Sequence, residues 1–140
     1  MATPLSIRFS PFLLSRLRKR ALALTGVSVA GLAQRLIDEG LRMADHPGVI
    51  FKDGPSDRRA ALSYGPDVWE VIRFLREVDE RGPVALEGAA EVFAVDASRI
   101  STAVSYYGDY SGEIDAETAE ADEAAARAEA AWRVQQRLIA

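Results

Sequence analysis

The chain opens with a short alternation of apolar and polar residues, Leu5-Ser6-Ile7-Arg8-Phe9. A period of two is typical of a β-strand with one buried face, so we expect Leu5, Ile7 and Phe9 to point inward. A lone strand of this length would leave its backbone N–H and C=O groups unpaired. The segment therefore predicts a strand that pairs with a second strand from outside this stretch.

Two amphipathic helices follow in the pattern. Ser10 is a good N-cap, and Pro11 suits the first helical position because its missing N–H would have no partner within the helix. Gly26 predicts the end of this helix, and Ser28 begins the next one. The apolar positions at helical spacing are Leu13, Leu17, Ala21 and Leu24 in the first helix and Ala33, Leu36, Ile37, Gly40, Leu41 and Ala44 in the second.

A strand and two short helices bury too little apolar surface to fold alone. Two copies that pair their strands in an antiparallel ribbon, above a core to which both copies contribute helices, would satisfy the strand and the helices together. We therefore expect residues 1–45 to form a homodimer.

The remaining pattern predicts a small helical domain at 46–112 and a C-terminal helix at 113–140, so the fold class is mostly α. A linker at residues 45–48 separates this part from the first domain. The predicted elements are a hairpin or extended arm over 49–62, a helix opened by Gly65-Pro66 and ended by Arg81-Gly82-Pro83, helices at about 85–93 and 97–107, and the alanine-rich C-terminal helix. The first of these helices turns Val68, Val71, Ile72, Leu75 and Val78 inward.

The net charge of −4 hides an asymmetry along the chain. Residues 1–44 carry seven Lys and Arg against two Asp and Glu, a net charge of +5, whereas residues 45–112 carry −5 and residues 113–140 carry −4. A basic first domain suits the neutralisation of phosphates, and an acidic C-terminal segment is repelled from DNA. The charge therefore predicts nucleic-acid binding at one end and a basic or mixed protein partner at the other.

Composition excludes several other classes of protein. With no cysteine and a single histidine, His46, the chain has neither a disulfide framework nor the ligands of a zinc site, and we interpret His46 as a linker residue. No apolar run is long enough to span a membrane, and the start of the chain does not resemble a secretion signal. We expect a cytoplasmic protein that has no cofactor and no enzyme activity, because no catalytic constellation is present.

Candidate DNA-contacting residues lie on the outward face of the predicted strand. In a two-stranded ribbon, Pro4, Ser6 and Arg8 of each copy would project into the major groove. Arg8 would donate two hydrogen bonds to guanine O6 and N7, Ser6 would bond a purine or a phosphate, and Pro4 would supply shape. The free amides at the start of the second helix would bind the phosphate backbone, and the residues there are Ser28, Val29 and Ala30.

The run Leu5-Ser6-Ile7-Arg8-Phe9-Ser10, the leucine-rich helix and Gly26-Val27-Ser28 resemble the ribbon-helix-helix superfamily of the Arc, MetJ and CopG repressors, over residues 3–44. The resemblance implies that Ser6 and Arg8 contact bases and that Ser28 and Val29 bind phosphate. The sequence departs from the family at Pro4, which removes a hydrogen-bonding side chain. Base specificity would therefore depend heavily on Arg8.

A second candidate lies within residues 87–105, where the spacing is that of a helix-turn-helix. It is either a second DNA-binding element or a bundle for packing and association, for example between two dimers. The helix-turn-helix spacing places Ala90, Ala94, Val95 and Ile100 on the inner side and Ser98, Arg99, Ser101, Thr102 and Ser105 on the outer side. Through His46-Pro47-Gly48-Val49-Ile50, Val68-Trp69-Glu70-Val71-Ile72 and residues 100–107, the segment 46–112 also resembles the helix-turn-helix-like domain of antitoxins whose partners are PIN-like nucleases.

The C-terminal helix is the third candidate, because a short alanine-rich helix has little reason to fold alone. Trp132 and Leu138 would anchor it on a partner, while Arg127, Arg133 or Arg137 would enter and block an acidic, metal-binding nuclease site. The alternative is that the helix packs on its own domain or within a dimer.

These features predict an antitoxin of a type II toxin-antitoxin pair. It would bind operator DNA as a dimer, repress its own operon and neutralise a PIN-like nuclease toxin. One alternative is a ribbon-helix-helix repressor without a toxin partner that responds to a small ligand. Another is a structural adaptor that uses residues 1–45 only to dimerise.

Overall fold

Five helices and one hairpin follow one another in the computed structural model, which describes residues 1–140. The fold is mostly helical with a small two-stranded antiparallel sheet, as the pattern predicts. The residues divide into two units, Met1–Arg42 (unit 1) and Met43–Ala140 (unit 2). The elements are α1 (Pro11–Leu22), α2 (Val29–Asp45), β1 (Val49–Asp53), β2 (Arg58–Leu62), α3 (Val68–Glu77), α4 (Pro83–Phe93) and α5 (Ala97–Ile139).

Both helices of unit 1 begin where their caps predict. Ser10 Oγ accepts a hydrogen bond from the Leu13 amide at 3.2 Å, and Ser28 Oγ accepts one from the Gly31 amide at 2.9 Å. Each cap satisfies an amide that has no acceptor within its own helix. Helix α1 ends at Leu22, earlier than expected, and Gly26 takes a positive φ of 73° in the turn that follows. The buried core of unit 1 consists of Leu17, Ala21 and Leu32.

Residues 1–10 form neither a strand nor a helix. The expected strand at Leu5–Phe9 would exist only when a second copy offers its own strand, because a strand needs a neighbour for its backbone hydrogen bonds. In the single chain Leu5 is 81% exposed and Ile7 is 51% exposed, so these side chains are not inward-facing. The ribbon stays a prediction about the dimer.

The segment expected to form a hairpin or an arm is a hairpin. Strand β1 pairs antiparallel with β2 in a register that joins Val49 to Leu62 and Asp53 to Arg58. The turn is closed by a hydrogen bond of 2.7 Å from the Gly54 amide to the Asp57 carbonyl. One face of the hairpin packs into the core of unit 2.

Helix α3 begins later and ends earlier than its sequence signals suggest. Asp67 is the N-cap, and its amide donates to Glu70 Oε2 at 2.8 Å. The prediction that Gly82 and Pro83 end this helix is wrong. Gly82, with a φ of 64°, is the N-cap of α4, and Pro83 is the first residue of that helix. Proline suits this position because an N–H there would have no acceptor within the helix.

Helix α5 is one long element with a kink at Tyr110, where φ is −130° and ψ is 36°. The predicted boundary at residue 113 falls inside it. Helices α3 and α4 and the hairpin pack against the first half of α5. The buried core of unit 2 consists of Val49, Ala60, Leu62, Val68, Val71, Ile72, Ala89, Ile100, Ala103, Tyr106 and Ile114.

Ala94 differs from its predicted inward position. It caps the end of α4 in the left-handed conformation, with a φ of 54°, and is exposed. Ala89 and Ile100 fill the core there instead, each with no exposed surface. None of the helices has both the length and the apolar character that a membrane span requires.

Candidate nucleic-acid interface and partner surfaces

Unit 1 presents cations that have no acidic partner. The side chains of Arg8, Arg16, Arg18, Lys19 and Arg20 are exposed, and none of them forms an ion pair. The other two cations of the basic segment differ, because Arg35 pairs with Glu39 at 3.7 Å and Arg42 pairs with Asp38 at 3.1 Å. Unpaired, exposed cations on one small unit favour binding to a polyanion, because each phosphate they neutralise releases a counterion.

The residues predicted to contact bases, Pro4, Ser6 and Arg8, are all exposed. They lie in the irregular segment before α1, so their alignment on one face depends on the strand that a dimer would form. The structure therefore leaves them accessible without bringing them into a single constellation.

The predicted phosphate site at the start of α2 has an additional component. A shallow groove there is lined by Ser28, Val29 and Arg18 of α1. The amides of Val29 and Ala30 have no acceptor within the helix, and Ala30 is exposed. An arginine that lines the same groove as a helix N-terminus suits an anionic phosphate. Arg18 was not among the predicted phosphate contacts, although its position beside Leu17 places it next to the buried face of α1.

A large apolar surface of unit 1 is left uncovered. Leu36 and Ile37 are each 47% exposed, Leu41 is 61% exposed and Leu13 is 46% exposed, although all four were predicted to face a core. Only three apolar side chains are buried in this unit. Exposed large apolar patches mark interaction surfaces in soluble proteins.

The helix-turn-helix-like region of α4 and α5 offers little to DNA. The Ser101 hydroxyl donates to the Ala97 carbonyl at 3.3 Å, and the Thr102 hydroxyl donates to the Ser98 carbonyl at 3.2 Å, so both turn back onto their own helix. Arg99 is the single cation of the predicted contact face and is half-buried beside Gly65. These contacts favour the packing interpretation of this region.

The interpretation of His46 as a linker residue is wrong. Its side chain is 6% exposed, and its Nε2 lies 2.8 Å from Asp109 Oδ2 on α5. Its ring meets the Tyr106 ring edge-on, with 5.3 Å between centroids. The histidine therefore belongs to the packing of unit 2. The Pro47-Gly48 pair beside it was the signal that suggested a linker, and no local signal points to a partner 63 residues away.

A buried charge cluster joins the hairpin to α5. Arg59 is 5% exposed, and its Nη2 donates to Glu120 Oε1 at 2.9 Å, while the Ser56 hydroxyl donates to Glu120 Oε2 at 2.7 Å. A Cβ at Gly54 would clash with the Arg59 side chain, so a larger residue there would displace Arg59. Burial raises the pKa of Glu117 to about 7, against the opposing effect of Arg59. The cluster holds the middle of α5 against the hairpin.

The end of α5 is uncovered. Every residue from Asp122 onward is exposed, including Trp132 at 58% and Leu138 at 86%. Asp122 still pairs with Arg73 of α3 at 3.0 Å, whereas Arg133 pairs with Glu129 of its own helix at 2.5 Å. Arg127 and Arg137 are exposed as well. The predicted partner residues thus lie on a projecting helix that the rest of unit 2 does not cover.

Comparison with known proteins gave no relative, because no family model, no curated protein and no solved structure matches the chain.

Proposed function

We propose that the chain is a repressor that binds operator DNA as a homodimer through unit 1 and acts as the antitoxin of a type II toxin-antitoxin pair. The observation that carries the first part is the coexistence, in unit 1, of an uncovered apolar surface with five unpaired cations. A second copy of the chain would cover the apolar surface, and a polyanion would neutralise the cations.

The energetics of the apolar surface support the proposed dimer. Covering a leucine-sized side chain stabilises a structure by about 1.5–3 kcal/mol. Leu36, Ile37 and Leu41 lie on one side of α2 and are all exposed. A symmetric pairing would cover them in both copies at once and would let the two segments at Leu5–Phe9 form a ribbon. Pro4, Ser6 and Arg8 would then lie on the outer face of that ribbon.

Two substitutions separate base contacts from phosphate contacts. We expect Arg8→Ala to weaken binding to the operator by about 1–3 kcal/mol and to reduce the preference for operator over random DNA. Arg18→Ala should weaken binding to both DNAs alike and lower the steepness of the salt dependence by about one counterion. Binding is measured by titration of labelled duplexes at several salt concentrations.

Arg133→Ala is the matched control, because it removes one exposed cation from α5 and leaves unit 1 unchanged. It should bind DNA as the unsubstituted chain does. Unaltered operator binding by the Arg8→Ala variant would contradict the proposed contact between Arg8 and a base. Failure of the unsubstituted chain to bind its own promoter would favour the adaptor that only dimerises.

The antitoxin part is supported by the projecting end of α5. In the proposal, Trp132 and Leu138 anchor this helix on a PIN-like nuclease while Arg127, Arg133 and Arg137 interact with its acidic, metal-binding site. The burial of residues in α5 decides where the chain should be truncated to test this role. Because Ile114 is buried and Ala121 is half-buried, the chain should be cut after Ala121 and not before residue 113.

The shortened chain should still repress its promoter, because unit 1 is intact, and should fail to protect cells that express the nuclease encoded by the neighbouring reading frame. Repression and protection are measured separately in the same strain. Protection by the shortened chain would contradict the role of the tail. Failure of the full-length chain to protect these cells, together with a promoter response to a small ligand, would favour the repressor without a toxin.

A further inference from the structure

The uncovered end of α5 has a defined apolar side. Consecutive residues of an α-helix are turned by about 100°, and this spacing places seven apolar residues of the segment on one side with Gln135 among them. The charged residues of the segment lie on the opposite side or at its edge. The seven apolar residues are Ala124, Ala125, Ala128, Ala131, Trp132, Leu138 and Ile139.

This apolar side continues the side by which α5 packs onto unit 2. Ile114 is 1% exposed, and Ala121 is half-buried. Ala128 follows at the same seven-residue step, which returns to nearly the same side of the helix. The packing face of α5 therefore runs on for about 27 Å beyond the point where unit 2 stops covering it.

The sizes of the side chains on this face indicate what covers it. When two such helices run antiparallel in one register, Trp132 of one copy faces Ala128 of the other and Ile139 faces Ala121, while Leu138 lies at the edge of the paired face. Trp132 and Ile139 then each meet an alanine, which allows close approach and dense packing. A parallel pair would instead place Trp132 against Trp132 and Gln135 against Gln135.

The charges of the segment are compatible with the antiparallel pair. Arg133 and Arg137 lie away from the apolar side and Arg127 lies at its edge, so all three would remain in water. Glu129 would lie near Glu129 of the second copy. Arg133 of the same chain, whose Nη2 lies 2.5 Å from Glu129 Oε1, compensates the charge of this carboxylate.

From this complementarity we propose that residues 121–139 of α5 pair antiparallel with the same residues of a second copy of the chain. The pairing is independent of DNA binding by unit 1, and it adds a second association surface to each chain. A protein partner that takes the same face must displace the second copy.

Because the chain has no cysteine, introduced cysteines test the pairing directly. Ala125 and Gln135 face each other between copies in the proposed register, and neither is a large anchor. Within one chain they are about 15 Å apart along the helix, beyond the reach of about 7 Å between Cα atoms that a disulfide allows. Any disulfide of the full-length variant Ala125→Cys/Gln135→Cys therefore joins two copies.

We expect this double variant to form covalent dimers under mild oxidation on the order of 100 times faster than the control Ala126→Cys/Val134→Cys, because a held pair has an effective concentration in the mM range. The control positions are exposed and lie on the other side of the same helix. The single variants Ala125→Cys and Gln135→Cys should crosslink no faster than the control, since neither faces itself in an antiparallel pair.

Two results would overturn the proposal. Rapid crosslinking of Ala125→Cys alone would show a parallel pair, and equal rates for the double variant and its control would show that a second copy does not cover this face. The reaction is followed by non-reducing electrophoresis, at a protein concentration in the µM range.

Discussion

The two units of this protein differ in how much of their apolar surface they can cover themselves. Unit 2 buries eleven residues in one core built from the hairpin, α3, α4 and the first half of α5. Unit 1 buries three and leaves Leu36, Ile37 and Leu41 exposed on α2. Both units contain well-capped helices, so local signals do not explain the difference. It shows that a sequence can specify helices whose apolar face the single chain leaves uncovered.

The largest effect on stability is expected in the core of unit 2. Ile100 has no exposed surface and lies among residues of α3 and α5. Ile100→Ala should lower the free energy of unfolding of unit 2 by about 2–5 kcal/mol, through lost burial and the cavity left behind. The loss should be the same at low and high protein concentration, because this core lies within one chain. Denaturant titration followed by helix signal measures it.

Val104→Ala, one turn along α5 at a position that is 38% exposed, is the control and should cost far less. A loss for Ile100→Ala that grows on dilution would mean that unit 2 also depends on a second copy.

The next effect concerns the surface of unit 1. Leu36→Lys would change the unfolding free energy of a monomer by about 0.5 kcal/mol or less, because the side chain is 47% exposed. In the proposed dimer it places a charge in an apolar interface, so both dimerisation and operator binding should be lost. Melting temperature against protein concentration reports dimerisation, because association makes it concentration-dependent.

This measurement uses the chain cut after Ala121, which removes the end of α5 and its own proposed association. Gln34→Lys, which adds the same charge at an exposed polar position of α2, should keep the dimer. Concentration-dependent melting of the Leu36→Lys variant would show that this face is not the interface.

The smallest effect concerns the charge cluster that holds α5 to the hairpin, and it depends on pH. The pKa of Glu117 lies at about 7, above its ordinary value of 4.5, so the folded chain binds this proton more tightly than the unfolded chain does. The contribution of this group to stability is therefore complete below pH 4.5 and is lost as the pH rises to about 7. Glu117→Gln should remove that loss and raise stability relative to the unsubstituted chain at pH 8, with little difference at pH 4.

Glu123→Gln is the control on the same helix, at an exposed position, and should keep the pH profile of the unsubstituted chain. Denaturant midpoints at both pH values provide the measurement. A Glu117→Gln variant that is less stable at pH 8 would mean that the attraction between Arg59 and the Glu117 carboxylate outweighs the cost of burying the charge.

Much of the architecture could be predicted because its signals are local. Ser10, Pro11 and Ser28 placed the starts of α1 and α2, and the apolar period placed Val68, Val71 and Ile72 in the core. The prediction failed at Gly82-Pro83, since the same pair suits the end of one helix and the start of the next. No sequence signal predicted that Ala94 would cap α4 in a left-handed conformation, which is uncommon for a residue with a Cβ.

The candidate sites likewise contain residues that the sequence predicted and one residue that only the structure identified. The residues predicted to contact DNA and a partner are accessible, but the single chain does not bring the predicted DNA contacts into a common geometry. Arg18 beside Ser28 and Val29 emerged only from the packing of α1 on α2.

By itself, therefore, the sequence determined where helices begin, that the chain is mostly α, and that a basic first segment precedes acidic ones, because caps, periodicity and charge act over a few residues. Only the tertiary structure decided which faces are covered. His46 meets Asp109 across 63 positions, and Arg59 meets Glu120 across 61 positions. Such contacts depend on how whole elements pack and have no local signature. The same packing leaves the apolar faces of α2 and of the end of α5 uncovered, where we propose that second copies bind.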